Sequence, residues 1–197
     1  MKNLKKVLSL VLALAMALSL MTAAFAADAS DYKDYSKVTY KEAVDVMTAA
    51  GIFNGGDGNN FNPDATLTRE QAAAIICRML LGDDAENLTT NSTVFSDVAA
   101  DRWSAGYIGY CAQQNILAGT GNGTFNPEGE LTGLAFAKML LVALGYDAKI
   151  ENLVGNSWAI NTSKLALSDD ANLGDKLESV TLSQPLTREQ AAQMALN

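Results

Sequence analysis

The hexapeptide Thr-Arg-Glu-Gln-Ala-Ala occurs twice in this chain, at 68–73 and at 187–192. In both copies Thr-x-x-Gln forms a capping box, so a helix is expected to begin there. Arg69 and Arg188 then fall at the first helical position, where the positive end of the helix dipole disfavours a cation by a few tenths of a kcal/mol. Two readings of each arginine stay open on the sequence. A guanidinium beside free backbone N–H groups makes an anion site, or it pairs with a neighbouring acid, Glu70 or Glu189.

Other chemistries are excluded or weak. The chain has 197 residues and no histidine, which removes Ser-His and Cys-His nucleophiles and histidine metal sites. Its two cysteines, Cys77 and Cys111, stand in no CxxC pattern. Two buried thiols are the expectation, with a disulfide as the alternative. Carboxylate pairs such as Asp83-Asp84 and Asp169-Asp170 lie in polar stretches with nothing apolar to raise a pKa. The loop Asp57-Gly58-Asn59-Asn60 with Asp64 could offer oxygen ligands to calcium, but no glutamate follows at EF-hand spacing. The reading is therefore a non-catalytic protein with no catalytic residues, no cofactor and no metal site. A net charge of −8 argues against nucleic acid as partner.

The N-terminus reads as an address. Lys2, Lys5 and Lys6 precede an apolar run, Val7 to Met21, and Ala24-Phe25-Ala26 gives an A-x-A cleavage pattern, so residues 1–26 are expected to be a secretory signal peptide. The run is short for a bilayer span of about 20 residues. Cleavage removes three lysines and no acids, leaving 11 bases against 22 acids and a net charge of −11. The expected product is exported, acidic and free of integral membrane contact.

The remainder is a degenerate threefold repeat. A shift of 64 residues brings Ile52 onto Ile116, Gly55 onto Gly119, Phe61 onto Phe125 and Leu67-Thr68 onto Leu131-Thr132. A further shift of 55 brings Trp103 onto Trp158, Leu131-Thr132 onto Leu186-Thr187 and Met139 onto Met194. The expected organisation is repeat 1 at 27–82, a linker at 83–94, repeat 2 at 95–145 and repeat 3 at 146–197. In repeat 2, Trp103, Tyr107, Ile108 and Cys111 share a helical face. Gly119 is read as the stop signal of that helix, and Phe125 as the core anchor of a glycine-rich loop. Phe136, Met139, Leu140, Ala143 and Leu144 form a second stripe, matched in repeat 1 by Ala72, Ile75, Ile76, Met79 and Leu80. The fold is expected to be all-α: helix, loop, helix, three times.

At these residues the chain resembles the S-layer homology (SLH) family. Repeat 2 matches the front of that pattern with Phe95-Ser96-Asp97-Val98, Trp103-Ser104, Tyr107-Ile108 and Gly119-Thr120-Gly121-Asn122-Gly123-Thr124-Phe125-Asn126-Pro127. Repeats 1 and 3 match its back, Leu67-Thr68-Arg69-Glu70 and Leu186-Thr187-Arg188-Glu189. The resemblance implies one pseudo-threefold, three-pronged helical unit. It also implies non-catalytic anchoring to a secondary cell-wall polymer of a Gram-positive-type wall, usually a glycan with anionic pyruvyl ketals. Other surface-layer chains are further expected partners, and the cell wall or S-layer the expected location. Carried over by motif, Arg69, Arg188, Asp97, Trp103, Gly119 and Gly121 become the polysaccharide-binding candidates. Three departures stand out: Gly133 replaces the arginine of repeat 2, Thr39 aligns with Trp103, and Tyr32-Lys33-Asp34-Tyr35 fits only after a one-residue slip. These leave a structural or assembly module without glycan binding as the alternative, with calcium binding behind it. The third repeat's last helix, begun at Thr187, is short at Asn197, so a continuation of the protein is expected.

Overall fold

The computed structural model describes residues 27–90 and 94–197. The signal-peptide reading, 1–26, lies outside the described residues. Six α-helices occur among them: α1 Lys41–Ala49, α2 Arg69–Leu81, α3 Ala105–Gln113, α4 Gly133–Ala143, α5 Trp158–Ala166 and α6 Arg188–Leu196. Strand pairing is confined to isolated bridges. The all-α expectation holds, with two helices in each repeat.

Helices pair between repeats. The second helix of each repeat packs on the first helix of the next: α2 on α3, α4 on α5, and α6 back on α1. The segments just before the second helices close a matching ring of backbone hydrogen bonds. Leu67 N–H donates to Leu186 C=O at 2.8 Å, Leu186 N–H to Leu131 C=O at 3.0 Å, and Leu131 N–H to Leu67 C=O at 2.9 Å. All three side chains are buried in the shared core, so three chain segments converge where apolar burial and backbone pairing coincide.

Local signals explain most boundaries. Both capping boxes form, at Thr68 with Gln71 and at Thr187 with Gln190. Thr132 caps α4 through Ala135 N–H without the reciprocal half of the box. Phe61 and Phe125 anchor their loops at 0% and 1% exposure. The helix stop in repeat 2 lies four residues before Gly119. Asn115, at φ 57°, takes the left-handed position there, and Ile116 N–H reaches back to Cys111 C=O. Gly119 is required for a different reason: a β-carbon there would stand 2.5 Å from Thr124 O and 2.7 Å from the Phe95 ring. Gly82–Asn87, at the start of the expected linker, forms a 3-10 turn docked on α2. Glu86 accepts from Arg78 at 2.7 Å and from Tyr107 at 2.9 Å. Cys77 on α2 and Cys111 on α3 are free, fully buried thiols with sulfurs 3.5 Å apart.

A carboxylate joins each well-formed α2-type start to the repeat that follows. Glu70, 6% exposed, accepts from Arg102 at 2.7 and 2.9 Å and from Ser104 at 2.6 Å. Its counterpart Glu189 accepts from the Thr39 and Tyr40 backbone N–H groups. Burial opposes ionisation of Glu70, but the Arg102 and Ser104 hydrogen bonds outweigh it and hold the carboxyl below the usual range.

Three measurements check this packing. Leu131→Ala is expected to cost about 2–5 kcal/mol, read by urea unfolding, because it opens a cavity at the ring. A lowered folded pKa at Glu70 contributes stability above the ordinary glutamate pKa of about 4.3 and loses it as pH falls through the folded value. The unfolding midpoint should therefore drop on acidification, and Glu70→Gln should flatten part of that slope. The Cys77 sulfur and burial push the Cys111 thiol up. At pH 8 neither thiol should react with Ellman's reagent until the chain unfolds.

Candidate functional site

The ring of leucines sets each second-helix start against the loop of another repeat. Arg69 N–H donates to Gly129 C=O, Glu70 N–H to Pro127 C=O, and Gln71 N–H to the Thr68 hydroxyl. In repeat 3, Arg188 N–H donates to Ala65 C=O, Glu189 N–H to Pro63 C=O, and Gln190 N–H to Thr187. These helix N-termini thus have no free N–H groups in their first turn to offer an anion, which corrects that half of the sequence reading. The acid-pairing alternative is also overturned. Glu70 is engaged by Arg102 and Ser104, Glu189 by the start of α1, and neither Arg69 nor Arg188 forms an ion pair among the described residues.

Both arginine side chains lie instead on the loop of another repeat. Arg69 Nε donates to Phe125 C=O and Nη2 to Ala118 C=O, both at 2.8 Å, with the guanidinium 4.5 Å from the Phe125 ring centroid. Arg188 repeats this in repeat 1: Nε to Phe61 C=O and Nη2 to Asn54 C=O, both at 2.9 Å, and 5.1 Å from the Phe61 ring. One edge of each planar guanidinium is used on carbonyls, while Nη1 makes no hydrogen bond among the described residues. Desolvation pushes both pKa values down from the ordinary arginine value. A half-buried cation held by neutral carbonyls and a ring keeps its full charge, and Asp97 and Asp34 attract Arg69 and Arg188 without forming contact ion pairs.

The loops receiving these arginines are fixed by a carboxylate. Asp97 accepts from Phe125 N–H at 2.7 Å and Asn126 N–H at 2.6 Å. Asp34 does the same for Phe61 and Asn62, at 2.7 and 2.8 Å. Asp34 is thus the counterpart of Asp97, and the one-residue slip is real. Desolvation opposes ionisation of Asp97, yet the two backbone hydrogen bonds hold its carboxyl below the usual range. Gly121, at φ 109°, turns the same loop and supplies the carbonyl that accepts from Thr124.

Two grooves result. The first is lined by Arg69, Leu117, Phe125, Lys138, Val154 and Trp158, with a volume of about 320 Å³. The second is lined by Arg188, Phe53, Asp57, Gln71, Arg78 and Trp103, with a volume of about 640 Å³. Each takes its arginine, its loop and its tryptophan from three different repeats. The sequence candidates are therefore divided: Arg69 lies with Phe125 in one groove, while Trp103 lies with Arg188 in the other. Asp97, Gly119 and Gly121 belong to the loop behind the first. Trp103 is 55% exposed, outside the core. Lys138 escaped the sequence reading because it lies off the apolar stripe of its helix, where a lysine reads as a solvated face. Trp158 was visible as a copy of Trp103, but nothing within repeat 3 joins it to Arg69.

By the same register, a third groove would combine Gly133, the loop of repeat 3 and Thr39. Gly133 N–H donates to Gln184 C=O and Leu134 N–H to Leu182 C=O. A β-carbon at Gly133 would stand 3.0 Å from Leu182 Cα. Both departures noted in the sequence, the missing arginine and the missing tryptophan, fall on this one interface.

The sequence pattern of the S-layer homology domain matches residues 31–73 and 94–137. The chain is 28% identical over 171 residues to a surface layer protein of Brevibacillus choshinensis, covering 87% of this chain and 15% of that one. It is 35% identical over 149 residues to a cell surface protein of Thermoanaerobacter kivui, covering 74% and 19%. It is 32% identical over 102 residues to a cellulosome-anchoring protein of Acetivibrio thermocellus, covering 52% and 23%. The chain thus spans less than a quarter of the length of each of these relatives. Segments 31–73 and 94–137 are S-layer homology domains.

Proposed function

We propose that this chain is a non-catalytic anchor that fastens a secreted surface protein to the wall by gripping an acidic secondary polymer in its two arginine grooves. The repeats form a cell-surface anchoring module, and the protein is a secreted, cell-surface protein of the Gram-positive type. The observation that carries the glycan reading is the pair of guanidinium groups, each with an unengaged nitrogen and each sharing a groove with a tryptophan. A guanidinium fork suits a carboxylate or a pyruvyl ketal, and an indole face suits the apolar side of a sugar ring. The mature net charge of −11 makes such local cations conspicuous, since long-range attraction to an acidic polymer is absent. The cyclic helix pairing supports reading the three repeats, at 27–82, 95–145 and 146–197, as one three-pronged, pseudo-threefold unit. Assembly with other surface-layer chains is a further proposed role.

Co-sedimentation with purified sacculi tests this. The chain from Ala27 onward should pellet with intact sacculi and remain in solution with sacculi stripped of secondary polymer. The Arg69→Ala, Arg188→Ala double variant, verified helical by circular dichroism, should lose at least about tenfold in affinity, the equivalent of roughly 1.4 kcal/mol. Unchanged pelleting of a folded double variant would assign the attachment to another surface.

A further inference from the structure

The two grooves are built largely from corresponding positions and differ in volume and in charge. Shifting the Arg188 groove by one repeat carries Ile52, Phe53 and Asn54 onto Ile116, Leu117 and Ala118, Gln71 onto Ala135, and Trp103 onto Trp158. Charge differs at three positions, two of which favour the Arg69 groove. Ala74 lines the Arg188 groove where Lys138 lines the Arg69 groove, and Asp57 lines the Arg188 groove where its counterpart is Gly121. Both differences make the Arg69 groove more positive. A further cation, Arg78, does line the Arg188 groove, but Glu86 holds it at 2.7 Å.

Lys138 has no such partner. Its ammonium lies 5.8 Å from the Trp158 ring centroid and makes no hydrogen bond or ion pair among the described residues. Burial alone pushes its pKa down, a direction that marks a cation removed from water without compensation. A π face repays such a cation only in part, and an anion in the same groove repays more.

We propose that Lys138 is a second cationic contact in the Arg69 groove, so that this groove binds the acidic wall glycan more tightly, and with steeper salt dependence, than the Arg188 groove. The inference rests on the anchoring reading above. Two cations converging on one apolar groove favour a carboxylate-bearing sugar whose ring stacks on Trp158. The Arg188 groove, with one unpaired cation and Asp57 at its edge, takes the same group more weakly.

The two tryptophans of the chain fall one in each groove, so 5-fluorotryptophan labelling gives one ¹⁹F resonance per groove. Trp158→Phe serves only to assign the signals. The probe is short acidic oligosaccharide prepared from secondary polymer released from sacculi by hydrofluoric acid. In low salt the Trp158 resonance should reach half-saturation at about tenfold lower oligosaccharide than the Trp103 resonance, the scale of one charge-assisted contact. Lys138→Met, which keeps the volume, should weaken the Trp158 midpoint about tenfold and leave that of Trp103 unchanged. Lys138→Arg should retain the preference, and salt should narrow the gap. Equal midpoints in the wild type, or a Trp158 midpoint indifferent to Lys138→Met, would overturn the role of Lys138 while leaving anchoring intact. Silence of both resonances would remove the anchoring reading, and this inference with it.

Discussion

Three backbone hydrogen bonds among Leu67, Leu131 and Leu186 fix the geometry on which the rest of the molecule depends. Each repeat donates to one neighbour and accepts from the other, so no repeat completes the ring alone. Closing that ring from positions 64 and 55 residues apart is entropically costly, and it is offset because the same three side chains are fully buried. The register then follows. With the leucine pinned, the capping threonine and the residue after it are placed against a loop from another repeat, and α2, α4 and α6 are turned onto the first helices of their neighbours. A groove is accordingly a property of three repeats, its arginine, its loop and its tryptophan each coming from a different one.

The same constraint explains why the arginines are available. Backbone carbonyls at Gly129 and Pro127, and at Ala65 and Pro63, satisfy the N–H groups at the starts of α2 and α6. The buried acids beside the arginines are engaged too, Glu70 by Arg102 and Ser104, Glu189 by the start of α1. What each guanidinium touches is a pair of loop carbonyls and an aromatic ring, contacts that fix its position without a direct ion pair. Aspartates 97 and 34 hold the Phe125 and Phe61 carbonyls in place by tying the backbone N–H groups on either side of them. At the third interface, Gly133 lets the backbone of Leu182 approach to where a side chain would stand, so that position offers no guanidinium.

Much of this was legible in the sequence, and the failures share a cause. Repeat spacing, both capping boxes, the buried Phe61 and Phe125 and the helical stripes depend on contacts within a repeat, which local pattern reports well. The candidates carried over by motif were not sorted into grooves, because Arg69 and Trp103 sit in different ones and motif order within the chain does not encode that division. Glu70 looked available to Arg69 because adjacency in sequence was read as adjacency of side chains, whereas its partners come from residues 102 and 104. Gly119 looked like a helix stop, but Asn115 supplies the left-handed residue and the glycine exists to admit the Phe95 ring. Lys138 was hidden because it lies off the apolar stripe of its helix, on a face that local pattern reads as solvated and that belongs to a groove.

The central claim is that glycan binding depends on grooves complete in arginine and tryptophan, and that this chain retains two of them. Isothermal titration of the mature chain with a short oligosaccharide of the secondary polymer, carrying one acidic terminal sugar, tests that count most directly. The account predicts two sites per chain. A count of three would contradict the need for an arginine, which the Gly133 interface lacks, and absence of binding by the folded chain would contradict the assignment of the arginine grooves.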